Sequence, residues 1–143
     1  MKKLPKIVID TNVLVSALRS RRGWSFDLLE RLGNGQFEHV VTVPLVIEYE
    51  DVLHREGMVP LTGAAVDDVL DYICASGLRQ QAHFLWRPKL ADVCDDMVLE
   101  AAFNGQCNAI VTWNLRDFSA AGAIGIEVLS PDLFVKRLKE HKS

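Results

Sequence analysis

The sequence predicts an α/β fold, a three-layer α/β/α sandwich with a central, mainly parallel sheet. Short β-branched runs alternate along the chain with helical patterns, and this order is typical of βαβ units. The runs are apolar on both faces, as in strands that are covered on both sides. The chain has 143 residues, of which 49% are hydrophobic and 24% charged. We therefore expect a single domain over residues 1–143 and exclude a disordered chain.

The elements of the first half are bounded by capping residues, proline and glycine. Thr11 or Asn12 is the predicted N-cap of the first helix, and Thr62 caps a later one. Pro44 ends the second strand, and a glycine-rich turn at residues 33–35 ends a helix,. The predicted order is a strand at 7–9, a helix over 13–18, a helix at 24–32, a strand at 40–43, a helix at 45–54 and a helix over 62–77.

The second half continues the alternation. A short third strand is predicted at 82–86, and Asp95 and Asp96 open the next helix, where acidic residues suit the helix dipole,. Strands are predicted at 109–113 and 126–129, before a final helix that Ser130 caps and Pro131 begins. Right-handed crossovers between parallel strands place the ligand site beyond the carboxyl ends of the strands.

Acidic side chains recur at that edge of the predicted sheet. Each has an ordinary structural explanation of its own, as a helix cap, a solvated helix residue or a turn former. A shared edge favours a joint role, because several carboxylates in one place repel one another unless a cation lies among them. Oxygen ligands without His or Cys suit Mg²⁺ or Mn²⁺, which typically act on phosphate groups. The residues are Asp10, Glu48, Asp95, Asp96 and Asp117, with Asn114 beside the last.

Four stretches carrying these residues occur in the order typical of a known family. They span residues 7–18, 46–53, 95–102 and 109–118. On these stretches the chain resembles the PIN-domain nucleases, in particular the VapC-like toxins of toxin–antitoxin pairs.

The resemblance implies a catalytic and metal-binding set. It assigns Asp10, Glu48 and Asp96 to the family's first three acidic positions. Many relatives have Asp where this chain has Asn114, and the fourth acid then falls three residues later, at Asp117. The resemblance also implies orienting or substrate-positioning roles for Thr11, Asn12, Asp95, Thr112 and Asn114.

The implied function is a Mg²⁺- or Mn²⁺-dependent endoribonuclease in the cytoplasm. As a toxin it would cleave RNA, form a homodimer and be neutralised by a small antitoxin protein. Asn114 keeps open the alternative of a non-catalytic PIN-like module that binds RNA or protein. The sequence argues against a dehalogenase-type phosphatase. Such an enzyme needs a second Asp two residues after the first, where this chain has Asn12,.

Smaller signals concern the surface and the environment. Arg19, Arg21 and Arg22 are candidates for contact with an RNA backbone, and Trp24 and Trp113 are candidates for base stacking or for packing. No apolar run is long enough to span a membrane. The net charge of −3 is unusual for a nucleic-acid-binding protein. If the five acids at the edge are not counted, the remaining charges are slightly positive in sum. A divalent metal would neutralise part of the charge of those acids, so we expect RNA binding to be weak without metal.

Overall fold

Five parallel strands and six α-helices make up the described part of the chain. The computed structural model describes residues 4–81 and 93–140, with the backbone alone for residues 93 and 94. The strands are β1 (Lys6–Ile9), β2 (Glu38–Val41), β3 (Leu78–Arg79), β4 (Ala109–Val111) and β5 (Glu127–Leu129). The helices are α1 (Thr11–Arg19), α2 (Trp24–Glu30), α3 (Val43–Leu53), α4 (Gly63–Ser76), α5 (Val93–Asn104) and α6 (Pro131–Glu140), with a 3-10 segment over Leu115–Ile124.

The strands form one sheet in the order β3-β2-β1-β4-β5. Each neighbouring pair is parallel, and β1 pairs with β4 through Ile7–Ala109, Val8–Ile110 and Ile9–Val111. Helices flank the sheet, which confirms the predicted α/β/α fold. From β1 the chain runs to β2 and β3 on one side and then crosses to β4 and β5 on the other. The order of the strands therefore reverses between β1 and β4.

The core lies on the central strands. Ile7, Val8, Ile110 and Val111 are fully buried, as two-sided coverage of a parallel sheet requires. Apolar side chains of the helices, such as Leu28, belong to the same cluster of buried residues. Burying such aliphatic side chains contributes about 1.5–3 kcal/mol each to folding, so the middle of the sheet is a rigid support for the residues at its carboxyl edge.

Two predicted boundaries near this edge are wrong. The first helix is capped by Asp10, whose Oδ1 accepts a hydrogen bond from the Thr11 N–H at 2.8 Å, and not by Thr11 or Asn12. The second strand ends at Val41, because the Thr42 hydroxyl accepts a hydrogen bond from the Leu45 N–H and so begins α3. Pro44 lies in the first turn of that helix, where its missing N–H costs no intrahelical hydrogen bond.

One strand of the structure is absent from the predicted order. The structure has β3 at Leu78–Arg79, paired with Val40 and Val41 of β2. The strand predicted at residues 82–86 lies outside the described residues. Two further predictions hold: Thr62 caps α4 by accepting from the Ala65 N–H, and α6 begins at Pro131.

Candidate active site

The point where the strand order reverses lies between the carboxyl ends of β1 and β4. Side chains that follow these two strands meet there, and in open α/β sheets this crevice is where ligands bind. Asp10 follows β1 and Thr112 follows β4. A hydrogen bond joins the ends of the two strands, since the Asp10 N–H donates to the Val111 carbonyl at 3.0 Å.

The Asp10 carboxylate is buried and held in a fixed orientation. Its exposed fraction is 7%. One oxygen accepts from the Thr11 N–H, and the other accepts from the Thr112 hydroxyl at 2.8 Å. One donor comes from the start of α1 and the other from the end of β4, so the carboxylate joins two elements far apart in sequence.

Thr112 is the centre of a small group of polar contacts. Its fully buried hydroxyl oxygen accepts from the Asn114 N–H at 3.0 Å and, over a longer distance of 3.4 Å, from Asn12 Nδ2. Asn12 Oδ1 in turn accepts from the Trp113 N–H at 3.3 Å. The structure thus brings Asp10, Thr11, Asn12, Thr112 and the Asn114 backbone together through hydrogen bonds.

Glu48 lies on the turn of α3 that is anchored to the end of β1. The neighbouring Tyr49 side chain is buried, and its hydroxyl donates to the Ile9 carbonyl. Burial and the nearby Asp10 carboxylate raise the pKa of Tyr49 well above its usual value,. Tyr49 therefore stays a neutral donor that fixes this turn of α3, and Glu48 beside it is partly buried.

Tyr49 is a site-supporting residue that sequence reasoning missed. It follows Glu48 directly, but it fits the apolar side of the helical pattern equally well. The hydroxyl group is the one feature that distinguishes Tyr49 from the apolar residues of the helix. A buried Tyr hydroxyl needs a hydrogen-bond partner.

Asp95 and Asp96 lie in the first turn of α5. This helix leads from the carboxyl edge of the sheet back to the start of β4, and it packs against β1, β2, β4 and α3. Asp96 is buried with an exposed fraction of 5%, and Asp95 is partly buried. The topology therefore places a second buried carboxylate at the same edge of the sheet as Asp10.

Asn114 and Asp117 lie on the surface beyond β4. Both are exposed, and the Asp117 N–H donates to the Asn114 carbonyl at 3.1 Å as the 3-10 segment begins. The structure thus keeps the two residues adjacent at the carboxyl side of β4. Their assignment to the fourth acidic position stays a prediction for both.

A comparison with protein families identifies the chain. A family model described as PIN domain matches residues 6–116. The chain belongs to the PIN domain family. The match includes Asp10, Glu48 and Asp96 and ends one residue before Asp117. PIN domains are generally metal-dependent nucleases. A comparison with curated proteins finds no significant match.

The donor chemistry of this PIN domain suits a hard cation. Asp10 and Asp96 offer carboxylate oxygens, the ligands that Mg²⁺ and Mn²⁺ prefer. Among the described side chains, no group of three or more His, Cys, Asp and Glu residues is close enough to hold a metal ion. Proteins commonly bind Mg²⁺ through only one or two carboxylates, with water and substrate phosphates completing the shell. Asp10 and Asp96 fit that mode of binding.

Of the three predicted arginines, Arg19 lines a groove that reaches the site. Arg19 Nε donates to the Met58 carbonyl at 2.8 Å, so this guanidinium is fixed to the loop after α3. It borders an open groove of about 500 Å³ that also includes Thr11 and Asn12, which connects the arginine with the Asp10 edge. Arg21 and Arg22 are exposed, and neither forms an ion pair within residues 4–81 and 93–140.

None of the helices that the structure describes is long and apolar enough to cross a membrane.

Proposed function

We propose that this PIN domain is a Mg²⁺- or Mn²⁺-dependent endoribonuclease. The observation that carries the proposal is the buried Asp10 carboxylate, oriented by the Thr11 N–H and the Thr112 hydroxyl where the strand order reverses. A purely structural helix cap needs only the first of these donors. The second donor, from a fully buried threonine on another strand, gives the carboxylate the fixed geometry that a reaction site requires.

The proposed roles of the acidic residues follow from their positions. Asp10 and Asp96 would hold the cation, which when bound would polarise the scissile phosphate and lower the pKa of an attacking water. Glu48, partly buried on the turn that Tyr49 anchors, would orient that water or accept its proton. Asp117, exposed beside Asn114, would complete the site from the solvent side.

The polar residues around Asp10 would serve to keep it in place. Thr112 donates to the carboxylate and accepts from the Asn114 N–H. Asn12 links the start of α1 to the Trp113 backbone. These contacts limit the movement of Asp10 and so keep the cost of reorganisation during the reaction low.

We further propose that the protein acts as a toxin on cytoplasmic RNA, as a homodimer neutralised by a small antitoxin. The four sequence stretches that resemble VapC-like toxins support this role. A small upstream reading frame encoding a DNA-binding protein with an apolar tail would favour it, and co-purification of that protein with this chain would test it. If the two products, expressed together, purify separately, the toxin role is wrong while the nuclease proposal still stands.

The nuclease proposal is tested by cleavage of an RNA labelled at one end. We expect internal fragments in the presence of Mg²⁺ or Mn²⁺ and none after chelation with EDTA. Cleavage that continues unchanged in EDTA would contradict the metal dependence. The absence of cleavage of structured and unstructured RNA, with either metal, would contradict the nuclease assignment.

A non-catalytic binding module is the second candidate. Asn114 at a position where many relatives carry Asp favours it, as does the lack of a three-ligand group among the described side chains. Calorimetric titration with Mn²⁺ separates the two. Saturable binding that is lost in Asp10→Asn supports the enzyme, whereas no saturable binding supports the module.

A further inference from the structure

Trp113 is an exposed aromatic residue placed directly beside the Asp10 site. It follows Thr112, whose hydroxyl donates to Asp10, and its own N–H donates to Asn12 Oδ1 at 3.3 Å. Its exposed fraction is 40%. A large apolar ring left in contact with water at the rim of a reaction site has surface to offer to a ligand.

The Trp113 ring is fixed from one edge. Its Nε1–H donates to the Ser25 hydroxyl at 2.8 Å, and Ser25 on α2 is buried with an exposed fraction of 1%. The bond satisfies the one polar atom of the indole ring and fixes its orientation. A ring held in this way loses little conformational freedom when a flat ligand packs on its exposed surface.

Basic side chains lie close in sequence to Trp113 or to its partner Ser25. Arg21 and Arg22 come just before α2, which carries Ser25, and Arg116 comes three residues after Trp113. All three are exposed, and none forms an ion pair in the part of the chain that the structure describes. An exposed aromatic face complements a nucleobase, and exposed guanidinium groups close to it in sequence complement the flanking phosphates.

We propose that Trp113 is a base-stacking residue, which binds one unpaired nucleobase of the RNA next to the phosphodiester at Asp10. The Ser25 hydroxyl positions its ring for this contact. This inference rests on the proposed nuclease function, because it is RNA at the Asp10 site that brings a base within reach of Trp113.

Trp24 provides a matched control. Its exposed fraction of 36% is close to that of Trp113, but its ring already has partners. The ammonium groups of Lys136 and Lys139 lie 5.3 and 5.2 Å from the ring centroid, so Trp24 makes cation–π contacts with α6. Substitution of Trp24 removes a similar amount of exposed aromatic surface without removing the proposed stacking face.

The first experiment measures binding of a fluorescently labelled single-stranded RNA by anisotropy, in EDTA so that the RNA stays intact and at low salt so that the weak metal-free binding is measurable. We expect Trp113→Ala to bind this RNA with about tenfold lower affinity than wild type, because the variant loses base stacking on the aromatic ring. We expect Trp113→Phe, which keeps an aromatic face, to bind within about threefold of wild type. Trp24→Ala should change the affinity by less than about twofold. Equal affinities for Trp113→Ala and Trp24→Ala would overturn the proposal.

The second experiment is a double-mutant cycle with RNAs that lack one base at successive positions around the wild-type cleavage site. At one position the abasic RNA should bind wild type as weakly as intact RNA binds Trp113→Ala, with no further loss when the two changes are combined. Additive losses at each position would contradict stacking on Trp113. If wild type cleaves no RNA, the proposed nuclease function fails, while the binding titration still decides whether Trp113 stacks on a base.

Discussion

The Thr112 side chain contacts Asp10, Asn12 and the Asn114 backbone, and no solvent reaches it. Replacing it with valine keeps its shape but removes the hydroxyl. We expect Thr112→Val to lose about 1–3 kcal/mol of unfolding free energy, because buried polar groups lose a hydrogen-bond partner. Urea denaturation measures that loss.

Thr112→Val should also slow RNA cleavage, because the Asp10 carboxylate loses the donor that orients it. Thr112→Ser is the matched control, since it keeps the hydroxyl and removes one methyl group. We expect the serine variant to cleave at close to the wild-type rate and the valine variant to be slower by about tenfold or more. Similar rates for the two variants would show that the hydroxyl has no role in positioning Asp10.

His39 makes stability depend on pH. Its side chain is 2% exposed, its Nε2 lies 3.1 Å from the Ser76 hydroxyl, and burial lowers its pKa to about 4. The Ser76 hydroxyl donates to the Tyr72 carbonyl, so it accepts a hydrogen bond from a neutral His39. The unfolded chain takes up a proton near pH 6.5 and the folded one only near pH 4. The stability that depends on neutral His39 is therefore present above pH 6.5 and is lost as the pH falls through this window.

This dependence is checked by urea unfolding of wild type and His39→Gln at pH 7.5 and pH 4.5. Other groups titrate in both proteins, so the difference between them isolates His39. Between these two pH values wild type should lose about 2 kcal/mol more unfolding free energy than the variant. The same loss of unfolding free energy in both proteins would mean that His39 takes up its proton as readily in the folded state as in the unfolded state.

At the scale of the elements, the end of α4 depends on Gly77. A Cβ at this position would lie 2.8 Å from His39 Cε1 and 3.0 Å from the Ile73 carbonyl oxygen. We expect Gly77→Ala to destabilise the protein by about 1–3 kcal/mol, because the buried ring and the helix backbone would both have to shift. Gly122→Ala, whose Cβ would meet no atom within 4 Å, should change stability by less than about 1 kcal/mol. Thermal unfolding of the two variants makes the comparison, and equal melting temperatures would contradict it.

The helices were predictable from sequence where a single local signal decides them. Thr62 and Pro131 mark the starts of α4 and α6 through capping and a fixed backbone angle,. The strands at the carboxyl edge were less predictable. Val43 extends an apolar run that is typical of a strand, but it lies in α3 because Thr42 caps that helix. β3 has only two residues, both exposed, so it shows no apolar pattern and depends on its pairing with β2.

The sequence proposes the site as a set of residues and does not specify its contacts. Its acids were found from their places after strands and from the family pattern. The bond from Trp113 to Ser25 joins residues 88 positions apart, and that from Tyr49 to Ile9 joins residues 40 apart. Such pairings follow from how α2 and α3 pack against the sheet, which local sequence patterns do not specify.

At the scale of the whole molecule, metal binding and folding should be coupled. The carboxylates come from separate elements, so only the folded chain brings them to one edge of the sheet. A ligand that binds only the folded state at a hundred times its dissociation constant adds about 2.7 kcal/mol of stability. We therefore expect Mn²⁺ to raise the melting temperature of wild type by about 5–10 °C. Asp10→Asn, which keeps a capping side chain, should show almost no rise, and an equal rise in both proteins would place the metal elsewhere.

The net charge of −3 has a related consequence for RNA. The acids at the carboxyl edge repel phosphate when no cation neutralises them, and the exposed arginines near α2 supply the opposite charge. Affinity for RNA therefore depends on where charge lies and not on its sum.

The placement of the active site at Asp10 is tested most directly by the rate of Mn²⁺-dependent RNA cleavage by wild type, Asp10→Asn and Asp68→Asn. Asp68 is an exposed carboxylate on α4, so its variant controls for the loss of one negative charge. We expect Asp10→Asn to lower the rate by about a hundredfold or more, because removal of a metal-binding carboxylate forfeits several kcal/mol of transition-state stabilisation. Asp68→Asn should cleave at the wild-type rate, and all three proteins should remain folded. Cleavage by Asp10→Asn at the rate of Asp68→Asn would contradict the placement of the active site at the carboxyl end of β1.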